Sequence, residues 1–224
     1  MSAHSSAAET RGLAHHFEDF EQQLDASTFG MWLFLITEVL FFGGLFAGYT
    51  LYRSHMPHAF ELASSHLDIP LGAMNTVVLI FSSLTMALAV RACQMGNNKL
   101  TRNLLVATLL LGFVFLGVKV VEYSAKFEHH LVPGYNFDQT MPQWQGQQMF
   151  YQFYFALTGM HALHMIIGSG LLLYFIIRSH QGRYHSNYFG PVEVMGLYWH
   201  FVDIVWIFLF PLLYLLGLHV GGKH

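Results

Sequence analysis

The stretch from residue 150 to residue 177, FYQFYFALTGMHALHMIIGSGLLLYFII, is apolar along nearly its whole length. About 20 apolar residues in helical form span the hydrocarbon core of a bilayer, and this stretch is longer. We therefore predict that it forms a transmembrane helix. It also places two imidazoles, His161 and His164, on one helical face. They could form a metal or haem site, or only a polar contact between helices.

Apolar runs of similar length lie on both sides of this one, at about residues 29–52, 71–93, 103–123 and 194–218. Charged residues make up 10% of the chain, against roughly 25% in soluble domains. These runs predict an all-α integral membrane bundle of five transmembrane helices. They form one domain over residues 29–220, and no soluble domain is left over.

Composition argues against two other classes of function. The net charge of −3, with histidines neutral, gives no basic surface of the kind that nucleic acid requires. Cys93 is the only cysteine, so it has no internal disulfide partner and no second thiolate for a metal site. We therefore expect neither nucleic-acid binding nor cysteine chemistry.

Both ends of the chain are polar. Residues 1–28 lack the basic region and cleavage site of a signal peptide, so we expect them to remain as an N-terminal tail. Residues 221–224 form a C-terminal tail. Ser27 or Thr28 is the expected N-cap of the first span. The spacing of Phe17, Phe20 and Leu24 indicates a short amphipathic helix that leads into the membrane. A solvated segment is the equally weighted alternative.

Basic residues near the span ends predict the orientation, because they resist translocation. One side of the membrane holds the tail and the loops after the second and fourth spans, with Arg11, Arg91, Lys99, Arg102, Arg178 and Arg183. The other side holds Arg53, Lys126 and Lys223. The N-terminus is therefore expected inside and the C-terminus outside.

Ionisable side chains within the spans need a partner or a role, since each costs about 2.5–3.5 kcal/mol at a helix centre. Three helices each carry a pair spaced by three residues, which shares one helical face. The first span carries a single carboxylate. The candidate site residues are Glu38, Lys119, Glu122, His161, His164, His200 and Asp203.

Two interpretations of the histidines stay open from spacing alone. His161 or His164 with His200 could supply the axial ligands of a haem, or carboxylates could complete a two-metal site. The di-metal pattern of helix bundles, however, uses Glu-x-x-His rather than the HxxH and HxxD found here. The favoured interpretation is an interhelical polar network in which each buried group meets a partner.

Glu38 and Lys119 need separate interpretations. A carboxylate deep in a span is typical of proton-relay pathways, although a hydrogen-bonded structural glutamate is the favoured reading of Glu38. Lys119 lies three residues before Glu122 near a helix end. We expect it either to pair with Glu122 or to extend towards the membrane surface.

Four sequence blocks resemble subunit III of the haem-copper terminal oxidases, the cytochrome c oxidase family. They are GMWLFLITEVLFFGGLFAGY at 30–49, LGFVFLGVKVVEYSAKF at 111–127, FYFALTGMHALHMIIG at 153–168 and YWHFVDIVWIFLF at 198–210. The last two blocks are the most specific. The chain looks like the five-helix bacterial form of this family, which lacks the first two helices of longer relatives.

The resemblance implies a non-redox subunit of the bacterial cytoplasmic membrane with no catalytic centre, haem or copper of its own. It implies direct packing on subunit I, membership of a complex that includes subunit II, and haem and copper in those partner subunits. It also implies structural phospholipid in a cleft, and support of proton uptake and of stability during turnover. The family's C-terminus lies outside, in agreement with the basic residues.

By the same resemblance, Glu38 matches a carbodiimide-reactive intramembrane glutamate. His161 and His164 match the two helix histidines, Glu122 the glutamate of an EY element, and His200 with Asp203 the WHFVD pair. Lys119 departs from the glutamine expected in many relatives. Four alternatives remain: a quinol oxidase subunit III, an accessory protein of nitric oxide reductase, an independent bis-histidine haem carrier, and a proton channel through Glu38.

Overall fold

The computed structural model describes residues 14–134, 137–184 and 188–215, and within them it contains six α-helices and no β-strand. Five helices, all but the second, are long and apolar enough to cross a membrane. The prediction of an all-α chain with five spans is confirmed. The helices are α1 Phe20–His55, α2 Pro57–Ser65, α3 Ile69–Gln94, α4 Asn98–Glu128, α5 Trp144–His180 and α6 Gly190–Tyr214.

Side-chain caps set the beginning of three of these helices. Asp19 accepts a hydrogen bond from the Gln22 backbone N–H at 2.7 Å, and so begins α1. Asp68 and Asn97 cap α3 and α4 in the same way. A cap oxygen satisfies a backbone N–H that has no partner inside the helix. The helices consequently begin at these capping residues, a few positions before the apolar runs.

The first span begins earlier than the sequence predicts. Ser27 and Thr28 lie inside α1 and neither is its N-cap, because Ser27 Oγ donates to the Gln23 carbonyl as a helical residue does. Phe20 and Leu24 of the amphipathic segment lie at the beginning of the same helix, where Phe20 packs against the ring of Tyr188, whereas Phe17 precedes the helix. This packing stabilises a helical conformation at polar positions that the composition alone places before the first span. Residues 1–13 lie outside the described part of the chain.

Two further differences concern the connections. The short helix α2 follows α1 directly, with Pro57 in its first turn, and the pattern of apolar runs does not predict it. Helix α6 ends at Tyr214 in the described chain, four residues before the expected end of the fifth span. The predicted span end at residue 218 and the tail at 221–224 fall outside the described residues.

Helix α6 is the most buried of the spans, and α3 packs along it and along α4. Two buried indoles fasten α6 to α3: Trp199 Nε1 donates to Ser82 Oγ at 3.0 Å, and Trp206 Nε1 donates to Thr76 Oγ1 at 3.1 Å. Buried indoles normally find such an acceptor. Because of these two bonds, α6 near residue 203 and α3 near residue 79 lie at the same depth in the bundle.

Helices α5 and α1 complete the bundle. α5 packs between α4 and α6, and α1 lies against α5 and α6 at the edge. α1 has the smallest buried share of the five spans, so most of its surface faces outward. Its far end is fastened by Tyr49, whose hydroxyl donates to the Leu212 carbonyl at 2.9 Å. Because so little of α1 is buried, a cleft remains between it and the neighbouring helices α5 and α6.

Candidate functional site

Glu38 of α1 and His164 of α5 meet inside the membrane-spanning region. His164 Nε2 lies 3.0 Å from Glu38 Oε2, and both side chains are mostly buried. The other ring nitrogen of His164 bonds to the Met160 carbonyl at 2.8 Å. The carboxylate that stands alone in the first span therefore has its partner on another helix.

The hydrogen bonds of His164 fix where its protons lie. A carbonyl oxygen can only accept, so His164 Nδ1 must carry the proton that it gives to Met160. One more proton is then shared across the contact between Nε2 and Glu38 Oε2. The pair is either imidazolium with carboxylate or neutral imidazole with carboxylic acid. The proton can move between the two groups within this hydrogen bond, whereas its departure would leave two acceptors, the carboxylate and the ring nitrogen, facing each other.

This pair lines a cleft of about 560 Å³ between α1, α5 and α6. Apart from Glu38 and His164, only Tyr198 brings a polar side chain to the lining. The hydroxyl of Tyr198 is engaged, since it donates to the His164 carbonyl at 2.9 Å. The volume falls in the roughly 300–1,000 Å³ range of ligand pockets. The other lining residues are Met31, Phe34, Ile167, Leu171, Phe175, Pro191, Val194 and Met195.

Lys119 and Glu122 form a buried ion pair in α4, with each side chain 4% exposed and Nζ 2.7 Å from Oε2. Lys119 also donates to the hydroxyls of Tyr214 at 2.9 Å and Tyr154 at 3.3 Å. An ammonium group has three donors, and here each has an acceptor. Tyr214 in turn donates to Glu122 Oε1. Of the two expectations for Lys119, the structure shows pairing and not extension towards the surface.

Aromatic rings enclose the ammonium group of Lys119. Its nitrogen lies 5.1 Å from the centre of the Trp206 ring and 5.2 Å from that of Tyr154. Tyr123 and Tyr214 are only slightly more distant. Rings at this distance attract a cation through their negative faces, most strongly when the cation is removed from water. The cluster therefore stabilises a buried positive charge in two ways.

His161 is buried but takes no part in either pair. Its Nε2–H donates to the Val202 carbonyl at 3.1 Å. The rings of Phe115 and Trp206 each lie 5.2 Å from the imidazole, centre to centre. The other ring nitrogen, Nδ1, has no hydrogen-bond partner among the described residues. His161 therefore acts as a packing contact between α5 and α6.

His200 and Asp203 lie on the other side of α6, against α3. His200 Nδ1 forms a 2.7 Å hydrogen bond with Ser83 Oγ. Asp203 is 3% exposed, and neither carboxylate oxygen has a hydrogen-bond partner among the described residues. The Ser83 hydroxyl approaches Asp203 without reaching hydrogen-bond geometry. The two residues share a face, as their spacing predicts, but do not bond to each other.

The structure places the candidate residues in separate groups instead of the one interhelical network expected from the sequence. Within the described chain, no hydrogen bond between side chains joins one group to another. The physical reason is that the groups lie at different helix contacts: His200 meets Ser83 between α6 and α3, whereas His161 meets the Val202 carbonyl between α5 and α6. Each group is completed by a hydroxyl or carbonyl that sequence reasoning did not single out.

The overlooked partners are Ser83, Tyr154 and Tyr214. Ser83 belongs to an SSLT run inside an otherwise apolar span, and such a cluster of hydroxyls is a usable signal of helix contacts. The tyrosines gave no comparable signal, because aromatic residues are common near membrane interfaces. In the described residues no group of three or more His, Cys, Asp or Glu side chains is close enough to hold a metal ion.

Comparisons with known proteins come from a family model and from individual relatives. A family model described as Cytochrome c oxidase subunit III matches residues 7–218. The chain is 36% identical to Cytochrome c oxidase subunit 3 of a Synechocystis species, over 86% of this chain and 76% of the relative. It is 34% identical to the protein of that name from Thermostichus vulcanus, over 93% and 96% of the two chains.

A relative with a different electron donor in its name is also similar. Probable quinol oxidase subunit 3 of Staphylococcus aureus is 30% identical, over 86% of this chain and 90% of the relative. The similarity extends over 76–96% of the length of each of these relatives. The family model, which matches residues 7–218, covers all five spans and the residues of every polar group described above.

Proposed function

The chain belongs to the cytochrome c oxidase subunit III family, and from that premise we propose that it packs on the catalytic subunit I and keeps it active during turnover. It is a subunit III of a terminal oxidase and a multi-pass membrane protein, which in a bacterium lies in the inner membrane. As such it belongs to a complex with other oxidase subunits, and subunit II is among them in our proposal.

The Glu38–His164 pair in its apolar cleft is the observation that carries this proposal. The pair holds one proton in the hydrogen bond between Glu38 and His164, so it can support proton uptake in the complex. The cleft presents almost only hydrocarbon surface around it. Acyl chains of a phospholipid match that surface and would keep bulk water from the pair. The lipid and the pair together support the role in sustained turnover.

Haem and copper belong to the partner subunits in this proposal. Each candidate histidine has a ring nitrogen engaged by a group of the chain itself: His161 by Val202, His164 by Met160 and Glu38, and His200 by Ser83. These contacts support a packing and proton-holding role for the histidines.

Cytochrome c is the electron donor that we propose for the complex. The relatives named cytochrome c oxidase subunit 3 are 34–36% identical to the chain, and the probable quinol oxidase subunit is 30% identical. The support is one of degree, since the donor binds elsewhere in the complex. Oxygen consumption by the purified complex with reduced cytochrome c or with a quinol would distinguish the two.

The experiment compares the complex carrying Glu38→Leu, Glu38→Gln or no substitution in this chain. We expect the same haem content and initial rate in all three, because the proposal assigns the haems to the partner subunits. The Gln side chain keeps a hydrogen bond to His164 but holds no transferable proton. Both variants should therefore become inactive after fewer turnovers, while only Glu38→Leu should also lose thermal stability.

Measurements of oxygen consumption to exhaustion and of bound phospholipid by native mass spectrometry check this expectation. An equal number of turnovers before inactivation in all three complexes would contradict the role of the pair. Loss of haem from the Glu38→Leu complex would contradict the assignment of a non-redox role to the chain.

A further inference from the structure

A second groove, of about 360 Å³, lies between α3 and α6 on a side of α6 separate from the Glu38 cleft. Its polar lining residues are Ser83, His200 and Asp203. The proposed function makes no use of this groove. The remaining lining is aliphatic: Leu79, Ile80, Leu84, Ala87, Ile204 and Ile207.

Asp203 gives this groove its unusual chemistry. The side chain is buried and lines the groove, yet both of its oxygens lack a hydrogen bond among the described residues, and it takes part in no ion pair there. The one nearby hydroxyl, that of Ser83, is hydrogen-bonded to His200 and has a single proton, so it cannot serve both carboxylate oxygens. A carboxyl group left without a partner inside a membrane is costly in either protonation state. Within the described chain, at least one oxygen of Asp203 therefore has no hydrogen-bond donor.

The depth of Asp203 indicates where that donor comes from. The residue lies close to the middle of α6, which runs from Gly190 to Tyr214. The helix rises about 1.5 Å per residue, so each end is on the order of 17 Å away. Lipid headgroups lie beyond the hydrocarbon core, at the level of the helix ends, and acyl chains carry no donor. A protein side chain on a neighbouring transmembrane helix meets the requirement.

The rim of the groove fits such a helix. Ile80, Leu84, Ile204 and Ile207 stand about half exposed along the two walls, and they form an aliphatic track on both sides of Asp203. Aliphatic walls with one polar contact are typical of helix association in membranes. A basic side chain is the best match, since it forms the stronger, charge-assisted hydrogen bond with a carboxylate.

We propose that the groove between α3 and α6 is the surface on which a transmembrane helix of the catalytic subunit docks, with a side-chain donor bound to Asp203. This inference rests on the proposed function, because it identifies the part of the chain that faces that subunit. It assigns Asp203 the role of an intermolecular contact, and it assigns α1 and the Glu38 cleft to a different face.

Site-directed cross-linking in the intact complex tests the proposal. A Cys93→Ala background removes the only natural thiol. Ile204→Cys then places a benzophenone label on the groove wall, at a position 50% exposed. Leu110→Cys is the matched control, because it is 59% exposed on α4. It also lies at the same depth as Ile204. Asn75 and Ser82 of α3 bond to the carbonyls of Phe115 and Thr108 on α4, so Leu110 is level with the part of α3 that lies opposite residue 203.

We expect the Ile204 label to give several-fold more adduct with the haem-bearing subunit than the Leu110 label. Adducts with lipid alone at Ile204, or equal adducts at both positions, would overturn the inference and leave the proposed function standing. Failure of the unsubstituted chain to co-purify with a haem-bearing subunit would overturn the proposed function and this inference with it.

A second pair of variants does not depend on labelling. Asp203→Leu should lower retention of the chain on the complex in mild detergent by about tenfold or more, as expected for the loss of one charge-assisted hydrogen bond. Ile204→Trp, which obstructs the groove and leaves Asp203 in place, should also lower retention, whereas Leu110→Trp should not. Full retention of both groove variants would refute the docking surface.

Discussion

At the scale of single residues, the buried charges explain more of the structure than any other feature. Lys119 and Glu122 could not remain in the membrane separately. Lys119 bonds to tyrosines of α5 and α6, and of these two only the α6 tyrosine donates to Glu122. Well-packed apolar residues can replace such a buried pair, whereas loss of one member leaves an uncompensated charge. Removal of one member alone should therefore destabilise the protein more than replacement of both.

The first prediction concerns that asymmetry. Lys119→Met should reduce the free energy of unfolding by about 3–5 kcal/mol, because Glu122 loses its counter-charge. The double variant Lys119→Met with Glu122→Leu should recover most of the loss. Lys119→Gln should cost less than Lys119→Met, since an amide still donates two hydrogen bonds. Denaturant unfolding of the four proteins in detergent measures these differences, and a double variant no more stable than Lys119→Met would contradict the prediction.

The second prediction concerns pH and the loop between α2 and α3. Partial burial, together with Lys126 and His129 nearby, lowers the pKa of His66 below its usual 6.5. The unfolded chain then binds this proton more readily than the folded one. The contribution of neutral His66 to stability is therefore complete above pH 6.5, and it is lost as the pH falls towards the lowered pKa.

Thermal unfolding between about pH 7.5 and about pH 5.5 measures this dependence. The midpoint should fall with pH, and it should fall less in His66→Gln. His58 is exposed and serves as the control position, so His58→Gln should keep the dependence of the unsubstituted chain. A pH dependence that His66→Gln leaves unchanged would assign the titration to another group.

The sequence identified which residues need partners, but not the partners. An ionisable residue within an apolar run can be recognised from its sequence neighbours alone. This identified Glu38 and the pairs at i and i+3 as residues that need partners. The partners come from other helices: His164 lies 126 positions from Glu38, and Tyr214 lies 92 from Glu122. Rotation of each helix about its axis decides such contacts, and apolar runs without polar alternation carry little information about rotation.

At the scale of helices, the five spans followed from length and composition, while their ends required capping chemistry. The runs set the membrane-embedded part well, because hydrocarbon thickness is a strong constraint. Polar extensions such as the beginning of α1 are helical only because Asp19 caps them and Phe20 packs on Tyr188. α2 depends in the same way on a tertiary contact, with Ala59 against α5.

The third prediction tests that contact between α2 and α5. A methyl group on Gly146 would collide with the Ala59 β-carbon, which sits on a helix backbone and cannot turn aside. Gly146→Ala should therefore destabilise the protein by about 1–3 kcal/mol through overpacking. Gly117→Ala is the control, since nothing lies within 4 Å of its added methyl group. It should be neutral or stabilise by up to about 1 kcal/mol.

Thermal unfolding of both glycine variants in the same detergent gives the comparison. Equal midpoints for Gly146→Ala and the unsubstituted chain would show that α2 shifts freely. That result would leave α2 as a helix resting on the bundle rather than packed into it.

At the scale of the whole molecule, the fourth prediction is the orientation in the membrane. The basic residues at the span ends predict the N-terminus inside and the C-terminus outside. A reporter enzyme that is active only outside the membrane should be active when fused after His224 and inactive when inserted in the turn at Gly96. The opposite pattern would reverse the orientation and the side on which His66 lies.

The bundle also shows why overall shape was harder to predict than span number. Tight packing around α6 and loose packing of α1 coexist in one chain, and both helices are simply apolar in sequence. The difference arises from the aromatic residues of α6, of which Trp199 and Trp206 are fully buried. The Glu38 cleft is the space left by that unequal packing.

The hydrogen-bonded indoles of α6 have one more consequence, which is optical. The chain has four tryptophans: Trp199 and Trp206 are sealed between α3 and α6, Trp144 is half-buried, and Trp32 on α1 is 54% exposed. Brominated acyl chains should quench the fluorescence of Trp32 and spare the sealed pair. The fluorescence of Trp32 therefore reports contact of α1 with lipid, whereas that of Trp199 and Trp206 reports the packing of α6 against α3.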